Sequence, residues 1–205
     1  MKVTKDFKMI KRYDKVLEEL KGKILNIGCH ICLFDIKAML HGHTDITSLD
    51  ISPIFLKTAK DNAKESGVKL NLVFGSIEAL PNEKYDTVIL SEIIEHLENP
   101  MKGVLNALEV LNDDGKLIIT IPAGFAHYSP DHKNFFFTTT SIGLIDKHWI
   151  FHMIPSVMQH TCSFINIDLF LEGLGYEYRY ELLEYKESKQ PSYDFFIVIT
   201  KRKKQ

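Results

Sequence analysis

Apolar positions along the chain follow two periods that take turns. Ile10, Val16, Leu17 and Leu20 recur at helical spacing before Gly22, which predicts a helix over residues 6–20. A short apolar run at 24–27 enters a turn, and helical spacing returns over 33–40. Further runs at 46–49, 70–74, 85–90 and 116–121 read as strands. Ser52-Pro53 sets a capping hydroxyl before a proline, the preferred order for opening a helix, and Phe55, Ala59 and Ala63 carry that helix to Gly67. Another helix is predicted from Asn99-Pro100 through Val104, Leu105, Leu108 and Leu111, and Asn112-Asp113-Asp114-Gly115 reads as a turn.

Strands that alternate with helices imply right-handed βαβ units, and hence a parallel sheet covered on both faces. The end of the chain differs. Residues 176–183 and 195–200 are two strands with no room for a helix between them, which predicts an antiparallel hairpin. The expected fold class is therefore α/β: a doubly wound, mostly parallel seven-stranded sheet with a C-terminal antiparallel hairpin. With 205 residues, 45% of them hydrophobic, the chain suffices for one sizeable core, so a single domain over 1–205 is expected.

Charge narrows the partners. Lys and Arg number 25 against 27 Asp and Glu, so no long-range field gathers phosphate backbones, and nucleic acid is not expected as a partner. No apolar run approaches bilayer-spanning length and the amino terminus lacks a signal-peptide pattern, so a cytoplasmic protein without a membrane partner is expected. Three cysteines, Cys29, Cys32 and Cys162, build no disulfide framework and fit a reducing compartment. Cys29-x-x-Cys32 lacks the second Cys pair that a zinc site requires.

In a doubly wound sheet the ligand sits outside the carboxyl ends of the strands, which directs attention to the loops there. The first is Asn26-Ile27-Gly28-Cys29-His30-Ile31-Cys32. Asp50 ends the second strand, where a carboxylate can accept both ribose hydroxyls of an adenosine. The third loop is Phe74-Gly75-Ser76-Ile77-Glu78-Ala79-Leu80-Pro81, and the fourth strand leads through Ser91 into Glu92-Ile93-Ile94-Glu95-His96-Leu97.

These four segments, in register over roughly 22–122, resemble the class I S-adenosylmethionine-dependent methyltransferases of the ubiquinone-type, small-molecule group. The family's first motif is an acidic residue followed by Gly-x-Gly-x-Gly. Here Asn26 stands for the acid, and of the glycines Gly28 remains while His30 and Cys32 replace the other two. Ser76 stands where the family places an aspartate near the adenine. The resemblance implies S-adenosylmethionine as cofactor, bound by Asn26, Gly28, Cys29, Asp50, Ile51, Gly75, Ser76, Ile77, Ser91 and Glu92, and methyl transfer to a small molecule, most simply to a hydroxyl oxygen. The lost glycines leave open a protein that binds the cofactor without turnover. A nucleotide-sugar or dinucleotide enzyme of similar fold is disfavoured by the Glu-x-x-Glu-His string.

A hydroxyl acceptor needs its proton removed by a base of near-neutral pKa. His96 and His132 are the candidates, the latter in Asp131-His132-Lys133-Asn134-Phe135-Phe136-Phe137-Thr138, which is similar to a His-x-x-x-Phe-Thr segment of the same group. No metal is assigned. The alternative is that Glu92, Glu95 and His96, on one face if their segment is helical, join His132 as ligands of a divalent ion. Residues 146–163, rich in aromatic, Met and His side chains, read as an insertion covering the acceptor or as the contact of a possible homodimer.

Overall fold

The computed structural model describes residues 7–124, 129, 131–138, 163–185 and 192–203. The expected insertion at 146–163 lies outside them, apart from Ser163. Helix α1 spans Phe7–Glu19, followed by β1 Ile24–Ile27, α2 Leu33–Leu40, β2 Ile46–Asp50, α3 Pro53–Glu65, β3 Asn71–Phe74 and β4 Tyr85–Ser91. A single 3-10 turn, Ile94–His96, precedes α4 Pro100–Glu109 and β5 Leu111–Pro122. Then come β6 Asn134–Phe137, β7 Ser163–Asn166, α5 Ile167–Leu174, β8 Tyr176–Tyr185 and β9 Ser192–Lys203.

Seven strands form one sheet in the order β3-β2-β1-β4-β5-β9-β8. β1 to β5 run parallel, β9 pairs antiparallel with β5, and β8 with β9. The doubly wound sheet and its terminal hairpin are as expected. Alternation along each strand divides the core: Leu25, Ile27, Leu90, Leu117 and Ile119 pack with α4 and α5 on one face, while Ile24, Ile89 and Ile118 pack with α1 and α2 on the other. Ser52 accepts the Phe55 N–H at 3.3 Å and Asn99 the Lys102 N–H at 2.9 Å, so both Xaa-Pro helix starts are capped as their sequences predict.

Two features differ from the sequence expectation. Residues 112–115 do not form a free turn; they bulge within β5, whose register against β4 jumps between the Tyr85–Leu111 and Thr87–Lys116 pairs. A Cβ on Gly115 would lie 2.8 Å from the Asn112 carbonyl oxygen, so the bulge closes only around glycine. The second feature is a separate parallel pair, β6 with β7, which the strand count omits. The Asn134 amide ties β6 to the 3-10 turn by donating to the carbonyls of Ile94 at 3.3 Å and Leu97 at 2.7 Å. Among the described residues, no helix is long and apolar enough to cross a membrane.

Candidate active site

The strand order reverses direction between β1 and β4, and a cavity of about 840 Å³ opens there at the carboxyl ends of the strands. Asn26, Gly28, Cys29, Asp50, Ile51, Gly75, Ser76, Ile77, Ser91 and Glu92 all line it, as does His96. Four loops far apart in sequence are thus brought to one wall.

The loop after β1 keeps a glycine-like backbone without the glycines. Gly28, His30 and Cys32 all have positive φ, at 74°, 51° and 58°. For His30 and Cys32 this left-handed conformation costs about 1 to 3 kcal/mol each. Hydrogen bonds offset the cost: Gly28 and Cys29 donate to the Leu49 carbonyl at 2.7 and 3.0 Å, and the His30 N–H donates to Asp50 Oδ2 at 2.8 Å. A side chain on Gly28 would run into Ile93, whose Cδ1 lies 2.0 Å from the Cβ position. A side chain at 28 therefore requires Ile93 to move, in addition to the strain of its positive φ.

Asp50 anchors two loops. Its Oδ1 accepts the Ser52 N–H at 2.8 Å while its Oδ2 holds His30, and it remains on the cavity wall. Ser76 accepts the Glu78 N–H at 3.2 Å, leaving its own proton and a lone pair for a ligand.

At the β4 end the chain turns through Glu92 at φ 57°, a strained conformation for this residue. Ser91 Oγ lies 2.8 Å from Thr120 Oγ1, which in turn donates to Glu92 Oε1 at 3.1 Å. Glu92 Oε2 faces the Arg12 guanidinium at 3.1 Å, and Arg12 also bonds Asp194 at 3.2 Å. Burial pushes the Glu92 carboxyl up to about 7, against the pull of Arg12. Glu95 is 2% exposed, and neither of its carboxylate oxygens has a hydrogen-bond partner. Burial, and then the charge of Glu92, hold its pKa well above the carboxylate range.

His96 stands half-exposed at the cavity, with Nδ1 3.3 Å from the Asp131 carbonyl and Nε2 3.9 Å from Glu95 Oε1. The His132 ring meets it edge-on, centroids 4.8 Å apart, although His132 itself is not part of the cavity wall. Lys133 fixes this approach by donating its N–H to the Glu95 carbonyl at 2.8 Å. The single face expected for Glu92, Glu95 and His96 is not formed, because only Ile94–His96 is helical and Glu92 precedes it in a left-handed turn. Glu95, His96 and His132 do converge, with one ligand atom from each within 4.8 Å of the others.

A family model described as "Methyltransferase domain" matches residues 25–119, the stretch that builds this cavity. Over these 95 of its 205 residues the chain is similar to that family, and the cavity is lined by the residues that the resemblance assigns to S-adenosylmethionine. The chain is 34% identical over 110 residues to the ubiquinone biosynthesis O-methyltransferase of Rickettsia conorii, covering 53% of this chain and 38% of the relative. It spans less than half the length of this and other curated relatives that it matches. Among solved structures, the YcgJ protein of Bacillus subtilis shares this chain's fold with a TM-score of 0.68 at 14% identity, over 95% of this chain and 100% of that one. Magnesium protoporphyrin IX methyltransferase of Synechocystis PCC 6803, with S-adenosylhomocysteine bound, aligns with a TM-score of 0.65 at 16% identity, over 93% of this chain and 82% of that one.

Sequence reading missed Arg12, Tyr13, Phe34, Phe55, Ile93 and Lys133, which also line the cavity. Arg12 is one charged residue among many on an amphipathic helix. Its partner Asp194 lies 182 positions away, a pairing that no local spacing carries.

Proposed function

We propose that this chain methylates a hydroxyl oxygen of a small molecule, with His96 as the base that takes the proton. The observation that carries this reading is the fixed orientation of His96. In the tautomer that carries its proton on Nδ1, the Asp131 carbonyl accepts that proton and the lone pair lies on Nε2, 3.9 Å from Glu95 Oε1, on a ring that lines the cavity. A hydrogen bond from Ser129 holds the Asp131 carboxyl below its usual pKa, and that charge stabilises the imidazolium that forms. The cofactor supplies a methyl group on a positively charged sulfur, already activated for displacement. The chain's residues then have to align acceptor and methyl, exclude water and receive one proton. Asp50 and Ser76 offer acceptors for the ribose and adenine, and the exposed side chain of Ile51 an apolar contact at the rim. The similarity to the ubiquinone biosynthesis O-methyltransferases of Rickettsia supports oxygen as the acceptor atom.

A second reading is favoured by one observation, the buried Glu95 carboxylate whose oxygens have no hydrogen-bond partner. Together with His96 and His132 it offers one oxygen and two nitrogen donors, a set that suits a divalent transition metal or magnesium. Such an ion would lower the pKa of the acceptor hydroxyl. Titration of manganese into the protein, with and without Glu95→Gln, separates the readings: stoichiometric binding lost in the variant supports the metal, and no binding leaves His96 as the base.

A further inference from the structure

Asp35 belongs to none of the steps above, yet it is a fully buried carboxylate directly beneath the cofactor loop. It sits in the first turn of α2. Its Oδ2 accepts from Asn26 Nδ2 at 2.9 Å and its Oδ1 from Ser48 Oγ at 2.9 Å, and the Cys32 thiol is a further hydrogen-bond neighbour. One carboxylate therefore joins the end of β1, the middle of β2 and the start of α2 around the 28–32 loop. A core of this kind is ordinarily filled by an apolar side chain, because burying a carboxylate without a cation is unfavourable. Burial holds its pKa up at about 6 despite the three donors.

The chemistry of the Asn26 amide explains what such a group can do. An amide carries donors on nitrogen and an acceptor on oxygen, and the two ends are nearly the same size, so an unanchored amide can present either. An ionised carboxylate only accepts. It takes the nitrogen and leaves the oxygen for the other side, and Asn26 lines the cavity. The acid that the family resemblance places at position 26 is thus supplied from α2, one amide away.

We propose that Asp35 is a positioning residue for the amino-acid end of the cofactor: by holding the Asn26 nitrogen, it turns the Asn26 carbonyl oxygen to the cavity as the acceptor for an α-ammonium group. This rests on the cofactor lying in the cavity with its amino-acid portion at the 28–32 loop.

The test uses two ligands by isothermal titration: S-adenosylhomocysteine, which carries the ammonium group, and methylthioadenosine, which lacks the whole amino-acid portion. Asp35→Asn can donate as well as accept, so it frees the amide to reverse; affinity for S-adenosylhomocysteine falls about fivefold or more while that for methylthioadenosine stays within twofold. The double variant Asn26→Asp/Asp35→Asn restores an acceptor facing the cavity and recovers affinity for S-adenosylhomocysteine. A parallel loss for both ligands in Asp35→Asn, unchanged binding of both, or a double variant that recovers nothing overturns the proposal. Asn26→Leu reports on the placement itself. If it weakens S-adenosylhomocysteine while Asp35→Asn does not, Asp35 is not the positioning group; if it weakens neither ligand, the amino-acid end does not lie at Asn26.

Discussion

Glu92 Oε2 lies 3.1 Å from the guanidinium of Arg12, which joins the first helix to the loop after β4 at the edge of the cavity. Arg12 is the cation for both Glu92 and Asp194, and the Asp194 side chain is 1% exposed. Removing one partner of a buried ion pair leaves the others uncompensated. Arg12→Ala is expected to lower stability by about 3 kcal/mol, read from denaturant midpoints at neutral pH. The loss shrinks on acidification, as Glu92 takes up its proton. A variant as stable as the wild type at neutral pH contradicts the pairing.

Stability of the whole chain follows the same carboxyls. Glu92 rises from 4.5 to about 7 on folding, and Asp35 from 3.8 to about 6. Between the unfolded and folded values the native state binds more protons, so this contribution is complete at the lower pH and is lost as pH rises. Unfolding free energy should therefore decline between the unfolded Glu92 value of 4.5 and its folded value of about 7. Glu92→Gln should flatten that slope. Stability that climbs steadily across this interval would show that these groups are not buried as described.

Gly28→Ala tests the loop. The new methyl pushes Ile93 toward the cavity that both residues line, and the left-handed backbone adds about 1 kcal/mol of strain. Cofactor affinity is expected to drop roughly tenfold, and Ile93→Ala in the same chain to recover part of it. If Gly28→Ala binds the cofactor as wild type does, this loop is not at the cofactor.

Much of the fold was legible because its signals are local. Ser52-Pro53 and Asn99-Pro100 start helices by rules that act within four residues, and the alternation of short apolar runs with helical spacing implied a parallel sheet. The bulge at 112–115 was read as a turn because its residues are turn formers; pairing of Leu111 and Lys116 with β4 on either side keeps them within the strand. The pair β6–β7 joins residues 134–137 to 163–166, so neither four-residue strand carries the pattern of a sheet alone. In the site, the ten residues that the family resemblance implies line one cavity. Asp35 was passed over because a carboxylate within a helix reads as surface, and its burial depends on Asn26 and Ser48 of the adjacent strands.

Asp50→Ala removes the acceptor proposed for the ribose and frees the N–H groups of His30 and Ser52. Losing a hydrogen bond to a charged group costs about 1.5 to 3 kcal/mol, so cofactor affinity should fall at least about tenfold. Equal affinity by calorimetry would remove Asp50 from the ribose.

The histidine pair separates chemistry from binding. His96→Ala is expected to reduce turnover by roughly a hundredfold or more with cofactor affinity nearly unchanged, since a base acts on the transition state. His132→Ala, one ring removed from the cavity wall, should have the smaller effect if His96 alone is the base. Equal losses from both, matched by loss of manganese binding, would instead favour the metal set with Glu95.

The most direct measurement supplies methyl-labelled S-adenosylmethionine to the purified chain with a panel of phenols, catechols and aliphatic alcohols, and identifies products by mass spectrometry. The account predicts label in a methyl ether on one class of hydroxyl, formed stoichiometrically with S-adenosylhomocysteine and strongly reduced in His96→Ala. Cofactor that binds yet transfers its methyl to no hydroxyl on the panel, or transfers it only to nitrogen or carbon in a parallel set of amines and activated rings, would contradict it.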